Sequence, residues 1–159
     1  TTLYAFKLAL KKIKNLNLIL VGYGPEYENI KFLINKFKIQ NKVLIVKNNK
    51  IVYPYIKKSD LLILSSKYEG MGNVLVEAIA LGTPVISSNC KSGPSEILLN
   101  GKGGDLFKPT DYKNLSKKII NFFENKKILL MKLKKAQKKL DRFNLKTHVK
   151  IYTKIFSEI

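Results

Sequence analysis

Ser65-Ser66-Lys67-Tyr68-Glu69-Gly70-Met71-Gly72-Asn73-Val74-Leu75-Val76-Glu77-Ala78 is the stretch whose reading decides the fold. Before it stands the apolar run Leu61-Leu62-Ile63-Leu64, short and bounded, the pattern of a buried strand. After it Val74, Leu75, Ala78, Ile79 and Leu81 recur at helical spacing. Between strand and helix lie Gly70, Gly72 and Asn73, with Gly72 or Asn73 as the helix cap. A strand, a glycine-containing loop and a helix start make the junction where open α/β sheets bind ligands, beyond the carboxyl ends of their strands. The first turn of such a helix offers unpaired N–H groups and the positive end of its dipole, which suits a phosphate.

Two carboxylates flank this loop, Glu69 and Glu77, with seven residues between them. Glu77 follows Asn73 by four residues, about one turn into the helix. A carboxylate there can accept two hydrogen bonds from a vicinal diol such as a ribose. Spacing alone equally describes a solvated loop acid and a surface helix acid. The stretch resembles, however, the Glu-seven-Glu motif of the retaining GT-B glycosyltransferases, in particular glycosyltransferase family 4. The strings that follow are similar to that family's in the same order: Ala80-Leu81-Gly82-Thr83-Pro84-Val85-Ile86-Ser87, then Ser92-Gly93-Pro94-Ser95-Glu96-Ile97, then Gly103-Gly104-Asp105-Leu106-Phe107. The resemblance covers nearly the whole chain, as the C-terminal, donor-binding half of such an enzyme.

That resemblance implies transfer of a sugar from a nucleotide-sugar donor, such as a UDP-sugar, with retention at the anomeric carbon and no metal or other cofactor. Carried over position by position, Glu77 holds the ribose hydroxyls and Glu69 contacts the donor sugar near the reacting centre. Backbone N–H groups of Gly70, Met71, Gly72, Asn73 and Val74 meet sugar hydroxyls and the diphosphate, and the helix dipole offsets leaving-group charge. Gly24, in the turn Gly22-Tyr23-Gly24-Pro25, borders the donor site, and Lys47 and Asn48 meet the base. Ser92 and Gly93 line the pocket. Met71 stands where the family often has an aromatic residue. The family's basic pair on the diphosphate belongs just before the segment where this chain begins, and its acceptor-binding N-terminal domain is absent. Residues 1–159 are therefore expected to be one donor-binding domain, a fragment without its first strand, that transfers little alone. The acceptor class implied is a glycan or lipid-linked sugar in a bacterial-looking chain, with the enzyme cytoplasmic and peripheral at the inner face of the membrane.

Outward from the junction, strands and helices alternate about five times, which predicts a Rossmann-like, doubly wound, mostly parallel sheet. Residues 3–14 form an amphipathic helix, with Leu3, Phe6, Leu10 and Ile13 on one face. Strands are expected at 16–21, 43–46, 61–64 and 84–88, with a last short one beginning at Asp105. As a dinucleotide fingerprint the turn after the first of these is weak, because Tyr27 occupies the third glycine's place. A helix runs from that turn to about Phe37, and a short one spans 51–58. Asp111 caps a helix that buries Leu115, Ile119, Phe122 and Phe123, and a second helix buries Leu129, Leu130, Leu133, Ala136 and Leu140. The tail from Phe143 places Val149, Tyr152, Ile155 and Phe156 on one face, which suits docking on its own sheet or on an N-terminal domain.

Composition bounds the alternatives. No apolar run approaches a membrane span. The single Cys90 excludes an intrachain disulfide, and one histidine, His148, argues against a histidine-based metal site. The net charge of +19 invites a nucleic-acid partner, yet only Arg142 among 30 basic residues is arginine, the residue that base readout favours. No nucleic-acid partner is expected. Residues 61–110 carry four lysines against four acids, whereas residues 111–159 carry 14 bases against four acids. That basic third describes solvated helix faces, and it also keeps open a surface-binding module for anionic membrane or nucleic acid. A GT-B epimerase relative is the other alternative.

Overall fold

The computed structural model describes residues 1–47 and 51–157, without the side chain of Ile151. Its helices are α1 (Thr2–Leu10), α2 (Tyr27–Phe37), α3 (Tyr53–Lys58), α4 (Asn73–Ala80), α5 (Pro94–Ile97), α6 (Tyr112–Glu124), α7 (Lys126–Gln137) and α8 (Leu145–Ser157). Its strands are β1 (Leu18–Val21), β2 (Val43–Val46), β3 (Leu62–Leu64), β4 (Val85–Ser88) and β5 (Asp105–Phe107). All described pairings are parallel. β1 pairs β2 with Leu18 opposite Val43, β3 pairs β4 with Leu62 opposite Val85, and β4 pairs β5 with Ile86 opposite Asp105. The strands thus form two sheets, β1-β2 and β3-β4-β5, with no ladder between β1 and β3 among the described residues.

The period-two alternation of strand side chains sorts the core into two layers. Leu18, Leu20, Val43, Ile45, Ile63, Ile86 and Phe107 face a cluster built by α1, α2 and α6, including Phe6, Ile34, Leu115 and Ile119. Leu62, Leu64, Val85 and Leu106 face a second cluster built by α3, α4, α5 and α7, including Ile56, Leu75, Ile79, Ile97 and Leu133. Helices therefore cover both faces of the parallel strands, the doubly wound arrangement expected from the alternation of elements. Each fully buried aliphatic side chain contributes on the order of 2 kcal/mol of hydrophobic stabilisation.

Local chemistry explains several element ends. The Asp111 carboxylate accepts from the Asn114 backbone N–H at 2.9 Å and so caps α6, as expected from the sequence. α2 ends on Lys38 in the left-handed conformation, φ 55°. On β5, Asp105 is bracketed by Lys132 of α7 at 2.5 Å and Lys118 of α6 at 3.6 Å, which ties both helices to the sheet.

Two helix-face expectations are corrected. Leu130 is 41% exposed, because α7 turns only Leu129, Leu133 and Ala136 fully inward. The tail does not dock on its own sheet: Val149, Tyr152, Ile155 and Phe156 on α8 are all exposed, Phe156 at 72%. No helix among the described residues is long and apolar enough to cross a membrane.

Candidate functional site

The junction after β3 folds as its sequence demands. Gly72 is the N-cap of α4, in the left-handed conformation at φ 80°, so Asn73 is the first helical residue and not the cap. A β-carbon at Gly72 would meet Leu75, Ile97 and Leu64 only at ordinary contact distance, so its backbone angle and not crowding selects glycine. No side chain caps the helix and no acid stands in its first turn; the Leu75 N–H donates to the Gly72 carbonyl at 2.9 Å, which leaves the Asn73 and Val74 amides open to an anion. The loop that leads there is fixed from both sides. Ser88 Oγ, at the end of β4, donates to the Ser66 carbonyl at 2.6 Å. Thr2 Oγ1, at the start of α1, donates to Ser65 Oγ at 2.7 Å.

Glu69 and Glu77 are both half-buried, and neither makes a hydrogen bond or an ion pair among the described residues. Glu77 is held by its helix: Leu75, Ala78 and Ile79 beside it are buried against β3 and β4, and its own carbonyl accepts from Leu81 N–H. Met71 is 43% exposed, Val74 is half-buried, and the Gly70 and Asn73 positions are exposed.

The loop between β4 and α5 closes over the same region. Ser92 and Gly93 take positive φ in succession, 66° and 84°. A β-carbon at Gly93 would lie 2.1 Å from the Met71 carbonyl oxygen, so only glycine lets the two loops approach this closely. Behind them Arg142 donates to the carbonyls of Glu96 and Ile97 at 3.0 and 2.9 Å, closing the carboxyl end of α5. The chain's one arginine therefore supports the site from behind and makes no contact with Glu69 or Glu77.

The remaining predicted residues sit at the carboxyl ends of β1 and β2. The Gly24 carbonyl accepts from Tyr27 N–H at 3.0 Å and starts α2. The Lys47 ammonium stands 3.9 Å from the Tyr27 ring centroid and 5.9 Å from that of Tyr23. A hydrogen bond to Tyr27 raises its pKa above the usual lysine value. Asn48 lies outside the described residues. Cys90 is a buried free thiol, as expected of a small core residue.

Sequence reasoning missed a cavity of about 390 Å³ beyond β4 and β5, lined in part by Asn89, Lys108, Asp111, Asn114 and Lys118. None of the predicted site residues lines it. Its signal was present: Asn89 and Lys108 each directly follow a strand, where open α/β sheets gather polar ligand contacts.

Parallel strands under helices on both faces, with loops and an uncapped helix start gathered at their carboxyl ends, define a Rossmann-like α/β domain. The solved structure of HepE from Anabaena in complex with UDP superposes with a TM-score of 0.87 at 22% identity, over 99% of this chain and 44% of that one. The architecture is that of GT-B glycosyltransferases. The chain belongs to the family described as glycosyl transferases group 1, whose sequence pattern matches residues 1–140. An uncharacterized glycosyltransferase of Methanocaldococcus jannaschii is 39% identical over 94 residues, 59% of this chain and 23% of the relative. The N-acetylgalactosamine-N,N'-diacetylbacillosaminyl-diphospho-undecaprenol 4-alpha-N-acetylgalactosaminyltransferase of Campylobacter jejuni is 29% identical over 143 residues, 89% of this chain and 36% of that enzyme. The chain thus spans less than two fifths of the length of these two curated relatives.

Proposed function

We propose that residues 1–159 form the donor-binding domain of a retaining glycosyltransferase of the family 4 type, which takes a UDP-sugar without a metal. The observation that carries this reading is Glu77: a half-buried carboxylate with no protein partner, one turn into a helix whose first amides are uncapped. The amides of α4 and the loop from Gly70 to Val74 take the diphosphate, and the helix dipole offsets the charge that grows on the leaving nucleotide. Glu77 accepts the two ribose hydroxyls, and Glu69 faces the donor sugar at the reacting carbon. Lys47, fixed between Tyr23 and Tyr27, meets the base end of the donor together with Asn48. Membership of a glycosyltransferase family and the UDP complexes of structural neighbours support the choice of ligand. The acceptor, a glycan or a lipid-linked sugar, belongs to the rest of the enzyme.

The test is a calorimetric titration of the chain with UDP, GDP and ADP and their sugars, with and without EDTA, beside the Glu77→Gln variant. UDP is expected to bind alone among the nucleotides and insensitively to EDTA, and Glu77→Gln is expected to weaken it about tenfold or more, since a ribose diol is left with a poorer acceptor. Equal binding to wild type and variant removes the reading. Absence of nucleotide binding together with salt-dependent binding to DNA or anionic vesicles would replace it with a basic surface-binding module.

A further inference from the structure

We propose that the outer face of α7 and its C-cap, built from Lys127, Ile128, Met131, Lys134, Lys135 and Lys138, docks on an anionic lipid bilayer. The first observation is charge. From Asn125 to Leu140 the chain carries seven lysines and no acid. The protein uses two of them itself: Lys126 pairs with Asp60 at 2.6 Å and Lys132 with Asp105 at 2.5 Å. Lys127, Lys134, Lys135 and Lys138 are exposed and make no ion pair among the described residues. Lys138 lies four residues from Lys134 and three from Lys135, so these like charges are neighbours and repel. The carboxyl end of the helix dipole offsets part of that cost, and an anionic surface would offset the rest.

Charge alone describes a solvated helix face, and the apolar residues among the lysines decide against it. Ile128 is 59% exposed and Met131 54%, and at a spacing of three they stand side by side. Met131 lies four residues from Lys127 and Lys135 and three from Lys134, so lysines border the apolar pair. A single exposed apolar side chain is ordinary, but an adjoining pair within a lysine rim has the make-up of a helix lying in a bilayer interface. Ile128 and Met131 would enter the acyl boundary while the lysine stems reach the headgroups. Leu129, Leu133 and Ala136 stay committed to the core, so the contact is peripheral. A nucleic acid would satisfy the lysines but not this pair, because base stacking uses aromatic or arginine planes and the face has neither.

The opposite side of α7 packs behind the helix that carries Glu77. Leu133 and Ala136 share a cluster with Leu75, Ala78 and Ile79 of α4, and Gln137 Nε2 donates to the Ile79 carbonyl at 3.1 Å. A bilayer on the outer face would therefore hold α4 about 10 Å, one helix spacing, beyond the docked helix. The inference stands apart from the donor reading, since the bilayer would touch none of the residues assigned to the nucleotide.

The experiment sediments the chain with vesicles of phosphatidylglycerol and phosphatidylcholine, about one to two, and with pure phosphatidylcholine vesicles. Three variants are compared with wild type: Lys127→Gln/Lys134→Gln/Lys135→Gln, Ile128→Gln/Met131→Gln, and a charge-matched control, Lys11→Gln/Lys12→Gln/Lys14→Gln, at exposed positions after α1. Glutamine keeps helix propensity, and circular dichroism checks each fold. Wild type is expected to bind the anionic vesicles and not the neutral ones. The triple change on α7 should weaken binding about a hundredfold, several-fold for each lysine near the surface. Loss of Ile128 and Met131 should weaken it about tenfold, and the control less than about threefold. UDP titration of the same samples keeps the two readings separate: vesicle binding without UDP binding removes the donor reading and leaves this one standing. No binding of wild type to anionic vesicles, equal losses in the two lysine triples, no effect of the Ile128 and Met131 changes, or tighter binding to a DNA duplex each overturns the proposal.

Discussion

In β4 all four residues are buried, and the flanking α4 and α5 carry Leu75, Ala78, Ile79 and Ile97 at 1% exposure or less. In β1 every second residue faces solvent, and Leu44 on the neighbouring β2 is 55% exposed. The two sheets share a fold class and a helical floor, yet only the three-stranded half is closed on both faces. The acidic residues and the uncapped helix start belong to that closed half. A binding site needs loops held to fractions of an ångström, and rigidity comes from elements that have nowhere to move. The two-stranded half contributes tyrosines and a lysine at its rim, on a frame with an unpaired edge.

The largest effect should come from one substitution made in each half. Gly93→Ala puts a β-carbon on the Met71 carbonyl at a backbone angle of φ 84°, so the loops must part. We expect a loss of about 3 kcal/mol or more, or a chain that does not fold. Gly22→Ala, at the end of β1, has φ 141° but meets nothing within 4 Å, and should lose only about 1 kcal/mol. Urea unfolding of both variants measures the difference, and equal losses would erase the distinction between the halves.

Side-chain truncation sharpens the same contrast with a smaller effect. Leu75 is completely buried between α4 and the three-stranded sheet, so Leu75→Ala should destabilise by about 2–5 kcal/mol through lost transfer energy and a cavity. Leu44→Ala, on the open face of β2, should change stability by about 0.5 kcal/mol or less. A large loss at Leu44 would mean that this face is covered after all.

The sequence was most legible where the signal is local. Apolar runs marked the first four strands and a glycine turn the start of the fifth, the Asp111 cap was readable from its position before an amphipathic run, and the strand–loop–helix junction at 61–81 folds as its pattern requires. What escaped is decided by contacts between distant segments. The approach of Gly93 to Met71 leaves no mark in periodicity, because a glycine before a proline reads equally well as a plain helix start. Arg142 was visible only as the chain's lone arginine, and its role on the Glu96 and Ile97 carbonyls depends on where the turn after α7 lands. The face of α8 was correctly read as amphipathic, but amphipathicity does not name what it packs on, and within the described residues its apolar side chains remain exposed. The open edge between β1 and β3 has no sequence signature in either strand, since each carries the apolar residues of a fully paired one.

The smallest effect concerns the Thr1 amino group, next to the Thr2–Ser65 contact that follows β3. Its pKa is lowered from 8.0, chiefly by burial and then by Lys67, so the unfolded chain binds more protons than the folded one between the lowered value and about pH 8. Stability should therefore rise with pH through that window, with the penalty fully present below the folded pKa and gone above 8.0. Because Thr1 is only half-buried, solvent screening should hold the rise to a few tenths of a kcal/mol. Urea midpoints between about pH 7 and pH 8.5 should show it in the free chain and lose it in an N-terminally acetylated one. Identical slopes in the two would mean that the terminus is not packed at the end of β3.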